Sequence, residues 1–264
     1  MKSDEARRSA NRIDKMKIPL SSKYLTELKL ILSRIAAILF ITFLPCIGLL
    51  MVYVFTAPRI AEYYDIKEKR AVLDIFHIPY RTTERRIAGF AFMSIDKKDL
   101  KDVFRNNITV EEPKVAWEIQ ATGTQTAGGK PKGEQRKKLY KYVKDGKLQG
   151  IGFVESRMGY GYNKSSTMSL FICVEPDLET LKGLEVLDHS ETPGLGGRIV
   201  EESFKKQFVG KKVRPRIFVV KGKKAEGANE VDAITGATNT SKGIEQFIND
   251  AMKEFWEEQG DIKW

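Results

Sequence analysis

The chain reads as an α+β protein: one N-terminal transmembrane helix followed by a domain in which helices pack on a largely antiparallel sheet. Three observations predict this. Ile35–Thr56 is a run of 22 residues without a charge. From Leu139 onward, short apolar segments alternate with turn residues, the rhythm of a sheet. Near the C-terminus, Ile244, Phe247, Ile248, Ala251 and Phe255 recur at i, i+3, i+4, i+7 and i+11, which is one face of a helix. A chain of 264 residues suits one or two domains, and 42% hydrophobic with 30% charged residues describes a sequence that folds.

The elements follow in order. Residues 1–34 hold nine Lys/Arg against four Asp/Glu, half of the formal charge of +10. No nucleic-acid module accompanies this basic tail, so nucleic acid is not the expected partner; the bilayer is. At about 1.5 Å rise per residue, residues 35–56 cross a hydrocarbon core. Pro45 is placed to bend that helix, and Tyr53 lies where an aromatic ring meets the interface. A cleaved signal peptide is the competing reading, but the apolar core is too long and no small-x-small site follows. The expectation is therefore an uncleaved single span, with the N-terminus cytoplasmic and everything after about residue 57 outside.

Residues 57–137 are expected to be a connector and a membrane-proximal part. Within them, 57–79 reads as a short helix with a partial apolar face at Val72, Ile75 and Phe76. Residues 121–137, rich in Gly, Thr and Lys, have loop composition. Residues 138–264 are expected to form the main domain. Leu139–Val143 and Leu148–Glu155 read as a hairpin around Asp145-Gly146. Ser169–Val174 and Leu184–Leu187 continue the sheet, Phe204–Phe208 suits a short helix, and Arg216–Val220 suits another strand. The C-terminal helix is expected to begin near Ser241.

Two stretches carry the chemistry. Residues 232–240 (Asp-Ala-Ile-Thr-Gly-Ala-Thr-Asn-Thr) form a hydroxyl-rich turn running into that helix. A helix start offers backbone N–H donors and a positive dipole end to a phosphate, and Thr238 is a hydroxyl that can carry a phosphate covalently. The plainer reading is that Thr240 or Ser241 caps the helix and Thr235-Gly236 is the preceding turn. Upstream, Glu191-Thr192-Pro193-Gly194-Leu195-Gly196-Gly197 is either a surface turn or a side-chain-poor loop that admits a ligand close to the backbone. Tyr160 and Tyr162, in Gly159-Tyr160-Gly161-Tyr162, are either ring-stacking residues or core aromatics. His189 either bonds a ligand or closes a strand end. Asp232 either is read by a partner enzyme or holds the turn through an Asx-type bond.

Asp232, Thr235, Gly236, Ala237 and Thr238 together resemble the flavinylation motif of the FMN-binding domain family. That domain is found in the small, covalently flavinylated components of the Rnf and Nqr complexes (RnfG and NqrC). Residues 191–196 resemble the same family's Glu-Thr-Pro-Gly-Leu-Gly loop, and Gln207–Lys212 resembles its linking segment. The likeness covers roughly residues 138–256. It implies FMN joined to Thr238 by a phosphoester that a flavin transferase makes. Thr235, Gly236, Ala237, Glu191, Thr192, Gly194, Leu195 and Gly196 are then the remaining cofactor-binding positions.

The resemblance further implies a single-electron carrier on the extracytoplasmic face of the cell membrane. It would belong to an ion-translocating oxidoreductase, either Rnf (ferredoxin and NAD) or Nqr (NADH and quinone). Its partners would be polytopic subunits and a second flavinylated subunit. A stand-alone membrane-anchored flavoprotein, or a flavin-holding sensor or assembly protein, are the alternatives. The residues themselves exclude other classes. Two cysteines and two histidines, without ligand spacing, do not make a metal centre. Hydrolytic, phosphate-loop and nicotinamide signatures are absent, so this chain has no complete active site of its own.

Overall fold

A computed structural model describes residues 22–87, 90–111 and 138–259. The basic tail up to residue 21 and the loop expected at 121–137 lie outside the described residues. The chain divides into two compact units, residues 1–61 and residues 62–264.

The first unit consists, where described, of helix α1, Ser22–Ile75, which continues into the second unit. The expected span and most of the helical stretch expected at 57–79 thus lie in one helix, with Pro45 and Pro58 inside it. Between Tyr24 and Tyr64, large apolar side chains are exposed all round: Phe40 and Phe43, Leu49 and Leu50, Tyr53 and Phe55. Hydrocarbon side chains on every face have no aqueous solution of low energy. The helix is long and apolar enough to cross a membrane.

The second unit is built on a five-stranded antiparallel sheet of order β3-β4-β5-β6-β7. These strands are β3 (Ile108–Glu111), β4 (Leu139–Lys144), β5 (Lys147–Met158), β6 (Thr167–Val174) and β7 (Leu181–Asp188). The predicted hairpin is there, with β4 paired to β5 across Asp145 and Gly146, both at positive φ. Ahead of the sheet lie a separate hairpin, β1 (Thr82–Ile87) with β2 (Phe90–Ile95), and α2 (Lys97–Asn107). None of these three was predicted. Helix α2 has little apolar content, Leu100 and Phe104 being its buried residues. Its start is set by Asp96, whose side chain accepts from the N–H groups of Lys98 and Asp99.

Both faces of the sheet are covered. Alternation along β6 sends Leu170, Ile172 and Val174 to one face and Phe171 and Cys173 to the other. The first face packs on the C-terminal helix α4 (Thr238–Gln259), through Ile244, Phe247, Ile248, Ala251 and Phe255. This is the face predicted from periodicity. Phe255 stacks on Phe153 at 4.9 Å. The second face packs on the end of α1 (Ala71, Val72, Leu73) and on α2. A strand buried on both faces reads as a continuous apolar run, which is why Leu170–Val174 was legible.

Between β7 and α4 the chain makes a 3-10 turn, Gly196–Val200, then helix α3 (Glu202–Lys205) with a further turn to Phe208. Strand β8 (Phe218–Val220) is shorter than predicted and pairs in parallel with β9 (Glu230–Asp232), a strand the sequence did not reveal. Helix α4 begins three residues before the predicted start. Ser241 N–H bonds back to the Ala237 carbonyl at 3.0 Å, so Thr238 already lies in the first turn.

Candidate functional site

The start of α4 is prepared by a tight turn. Gly236 sits at φ +81°, a conformation that strains any residue with a β-carbon. Ile234 N–H donates to the Ser241 hydroxyl, which itself donates to the Ala237 carbonyl. Ser241 therefore pins the turn from inside the helix and is not its N-cap. Nor is Thr240, which lies within the helix and donates its hydroxyl to Glu191. The position before the helix is taken by Ala237, which has no capping atom. Among the described residues, the backbone N–H groups of Thr238, Asn239 and Thr240 find no acceptor, and the Thr238 hydroxyl makes no hydrogen bond. Thr238 is half-buried, Thr235 is exposed and Ala237 is buried.

The glycine loop stands beside this turn. Leu195 Cδ2 lies 3.6 Å from where a β-carbon on Gly236 would be. The loop is closed on itself by the Thr192 carbonyl, which accepts from Leu195 N–H at 3.2 Å and Gly197 N–H at 2.9 Å. Gly194 is at φ +74° with open space around it. Leu195 is half exposed, with Thr192 and Pro193 also on the surface.

Glu191 ties the two motifs together. Its carboxylate is buried, with Oε2 accepting from the Thr240 hydroxyl at 2.7 Å and Oε1 from Tyr162 N–H at 2.7 Å. A β-carbon on Gly196 or Gly161 would overlap that carboxylate, so both glycines are there to make room for it. Gly243, one turn beyond Thr240, lets the helix touch the Tyr160 carbonyl directly.

The remaining candidates resolve by their contacts. Tyr160 is a core aromatic: its ring meets Phe247 edge-on at 5.2 Å and its hydroxyl donates to Asp250 at 2.7 Å. Burial, helped by that bond to a carboxylate, pushes its phenol up from the ordinary range. Tyr162 is 70% exposed. His189 accepts from Glu191 N–H through Nδ1 at 3.1 Å, closing the turn after β7. Asp232 does not make a local Asx bond; it accepts from Ala225 N–H at 2.6 Å, and its own N–H donates to Gln207 Oε1 at 2.7 Å.

A shallow depression of about 220 Å³ adjoins the turn, lined by Arg198, Gln207, Asp232 and Thr235 among others. A larger cleft of about 580 Å³, between the end of α1, β7 and α3, contains none of the motif residues. Thr240, Gly161 and Gly243 were not among the sequence-predicted site residues. Gly161 lay in a segment already singled out, but its partner Glu191 is distant in sequence.

A model of the FMN-binding domain matches residues 161–253, the segment holding Glu191, the glycine loop and the turn at Thr238. This segment is similar to the FMN-binding domain family. The chain is similar to the C component of the Na(+)-translocating NADH-quinone reductase of Yersinia pestis, 37% identical over 103 residues, which are 37% of each protein. It is similarly related to the Vibrio anguillarum counterpart, at 39% over 37% of this chain and 38% of that one. The matched segment thus spans well under half the length of these curated relatives. The crystal structure of Shewanella oneidensis NqrC is similar over 58% of this chain and 82% of that one, with 23% identity and a TM-score of 0.47.

The geometry of this segment suits a phosphate-bearing ligand. Among the described residues, three N–H groups without acceptors lie at the start of α4, where Thr238 stands, together with the positive helix end. Gly194, Gly236 and Ala237 leave the surroundings thin, and Leu195 offers an exposed apolar side chain as a wall.

Proposed function

We propose that this chain carries FMN through a phosphoester on Thr238 and serves as a single-electron carrier in a membrane-bound, ion-translocating oxidoreductase of the Nqr type. The observation that carries the reading is the first turn of α4. It presents a hydroxyl with no competing hydrogen bond and three amide donors without acceptors among the described residues, a setting matched to a tethered phosphate. FMN supplies one-electron exchange when bound; the residues around it hold the phosphate and orient the ring. The depression beside the turn is smaller than the roughly 300–1,000 Å³ of enclosing ligand sites. A flavin held there stays open to partners, as a relay between proteins requires.

The Yersinia and Vibrio relatives are Nqr components, which supports Nqr over Rnf. On this reading residues 1–34 are a cytoplasmic tail, 35–56 the span, 57–137 a connector, and 138–264 the extracytoplasmic cofactor domain. Its neighbours are polytopic subunits and a second flavinylated subunit, and a flavin transferase matures it. The remaining motif positions, Thr235, Gly236, Ala237, Thr192, Gly194, Leu195 and Gly196, shape the ground around the cofactor.

The test is intact mass and in-gel flavin fluorescence after co-expression with a flavin transferase, wild type beside Thr238→Val. A gain of one FMN less one water, with fluorescence surviving denaturation and lost in the variant, is expected. An unmodified wild-type chain in the presence of active transferase overturns the covalent assignment.

A further inference from the structure

Glu191 is a buried carboxylate that accepts from a backbone N–H and a hydroxyl, with no cation in ion-pair range among the described residues. Removing a charge from water without an opposite charge is costly, and the cost falls when dipoles are aimed at it. Here Tyr162 N–H, the Thr240 hydroxyl and the positive end of α4 supply those dipoles. The sequence has made three further concessions to this contact. Gly161 and Gly196 give up side chains that would collide with the carboxylate, and Gly243 gives up one that would drive the helix off residues 160–161. Both oxygens are used in holding protein to protein.

The geometry points to Glu191 and Thr240 as a buried latch that fixes the glycine loop 192–197 against the first turn of α4. Glu191 is thereby a positioning residue and not a ligand of the flavin. Thr240 sits two residues after Thr238 in the same helix, so the latch fixes the attachment point and the loop in a single frame. This rests on the reading of Thr238 as the attachment point. The latch determines how firmly a flavin already attached is held, not whether it is attached.

The test uses the full chain in detergent, co-expressed with a flavin transferase, comparing wild type with Thr240→Val, Thr240→Ser and Glu191→Asp. Valine keeps the shape of threonine without the donor; serine keeps the donor; aspartate keeps the charge but loses the reach. Attachment is read by mass, the flavin's surroundings by visible circular dichroism and iodide quenching, and the latch by hydrogen exchange of segments 160–165 and 192–197. In Thr240→Val and Glu191→Asp, flavin mass is retained, the dichroism falls and quenching rises severalfold, and exchange quickens about tenfold, the effect of losing one charge-assisted hydrogen bond. Thr240→Ser restores all three.

Wild-type dichroism, quenching and exchange in both weakened variants overturn the latch. So does weakened dichroism that serine does not restore. Should Thr240→Val fail to fold, Glu191→Asp, which introduces no apolar group against a buried charge, decides the question. If the wild type carries no flavin, the cofactor reading falls while exchange in the same unmodified chains still decides the latch.

Discussion

Gly243 shows how closely single residues are specified here. A β-carbon at that position would coincide with the Tyr160 carbonyl oxygen, and the obstacle is backbone, which cannot rotate away as a side chain does. Overpacking of this kind costs about 1–3 kcal/mol in side-chain cores, and against backbone the upper end or more is expected. Gly243→Ala should therefore destabilise the chain by about 3 kcal/mol, measured by denaturant unfolding followed through tryptophan fluorescence. An alanine variant as stable as wild type would mean that α4 stands clear of residues 160–161. The residues of the two motifs were legible because their chemistry is local: a glycine in a tight turn, hydroxyls at a helix start. Gly243 and Thr240 were not, because the reason for each lies in a segment far away in the sequence. Thr240 even carried a plausible local role, capping, which the bond to Glu191 displaces.

Helix α1 changes role along its length. Up to residue 61 it shows apolar side chains to its surroundings, whereas in the second unit Ala71, Val72 and Leu73, followed by Phe76 and Ile78, are buried against the back of the sheet. There, Tyr140 donates to Glu68 and Lys67 donates to the Leu187 carbonyl. Burying four large apolar side chains and an alanine contributes on the order of 10 kcal/mol, as much as the about 5–15 kcal/mol that holds a whole domain together. A fragment beginning at residue 62 should fold with a cooperative thermal transition and near-ultraviolet dichroism. One beginning at residue 79 should show neither. Equal behaviour of the two fragments would mean that these residues merely connect. The sequence revealed the partial apolar face at Val72, Ile75 and Phe76 but not what it covers. Strand β9 escaped in a related way: three residues are too short for a period, and its pairing with β8 is across a loop.

At the scale of the molecule, charge asymmetry sets the expected orientation. The basic tail precedes the apolar run, and Lys/Arg-rich flanks remain on the cytoplasmic side. A fluorescent protein that matures only in the cytoplasm should glow when fused to the N-terminus, and alkaline phosphatase should be active when fused to the C-terminus. Activity in the opposite arrangement would remove the extracytoplasmic relay from consideration. Co-purification with polytopic membrane subunits then separates a member of a complex from a stand-alone carrier.

By itself the sequence determined the apolar run, the hairpin at Asp145-Gly146, the apolar central strand, the buried face of α4 and the two motifs. Each is a property of neighbouring residues: hydropathy period, turn propensity, hydroxyls before a helix. Only the tertiary structure decided that the end of α1 closes the back of the sheet, that α4 starts at Thr238, and that Glu191 joins Thr240 to Tyr162 N–H. Those follow from close packing between segments remote in the chain, where three absent side chains and one buried carboxylate fit together, and no local pattern records such a fit.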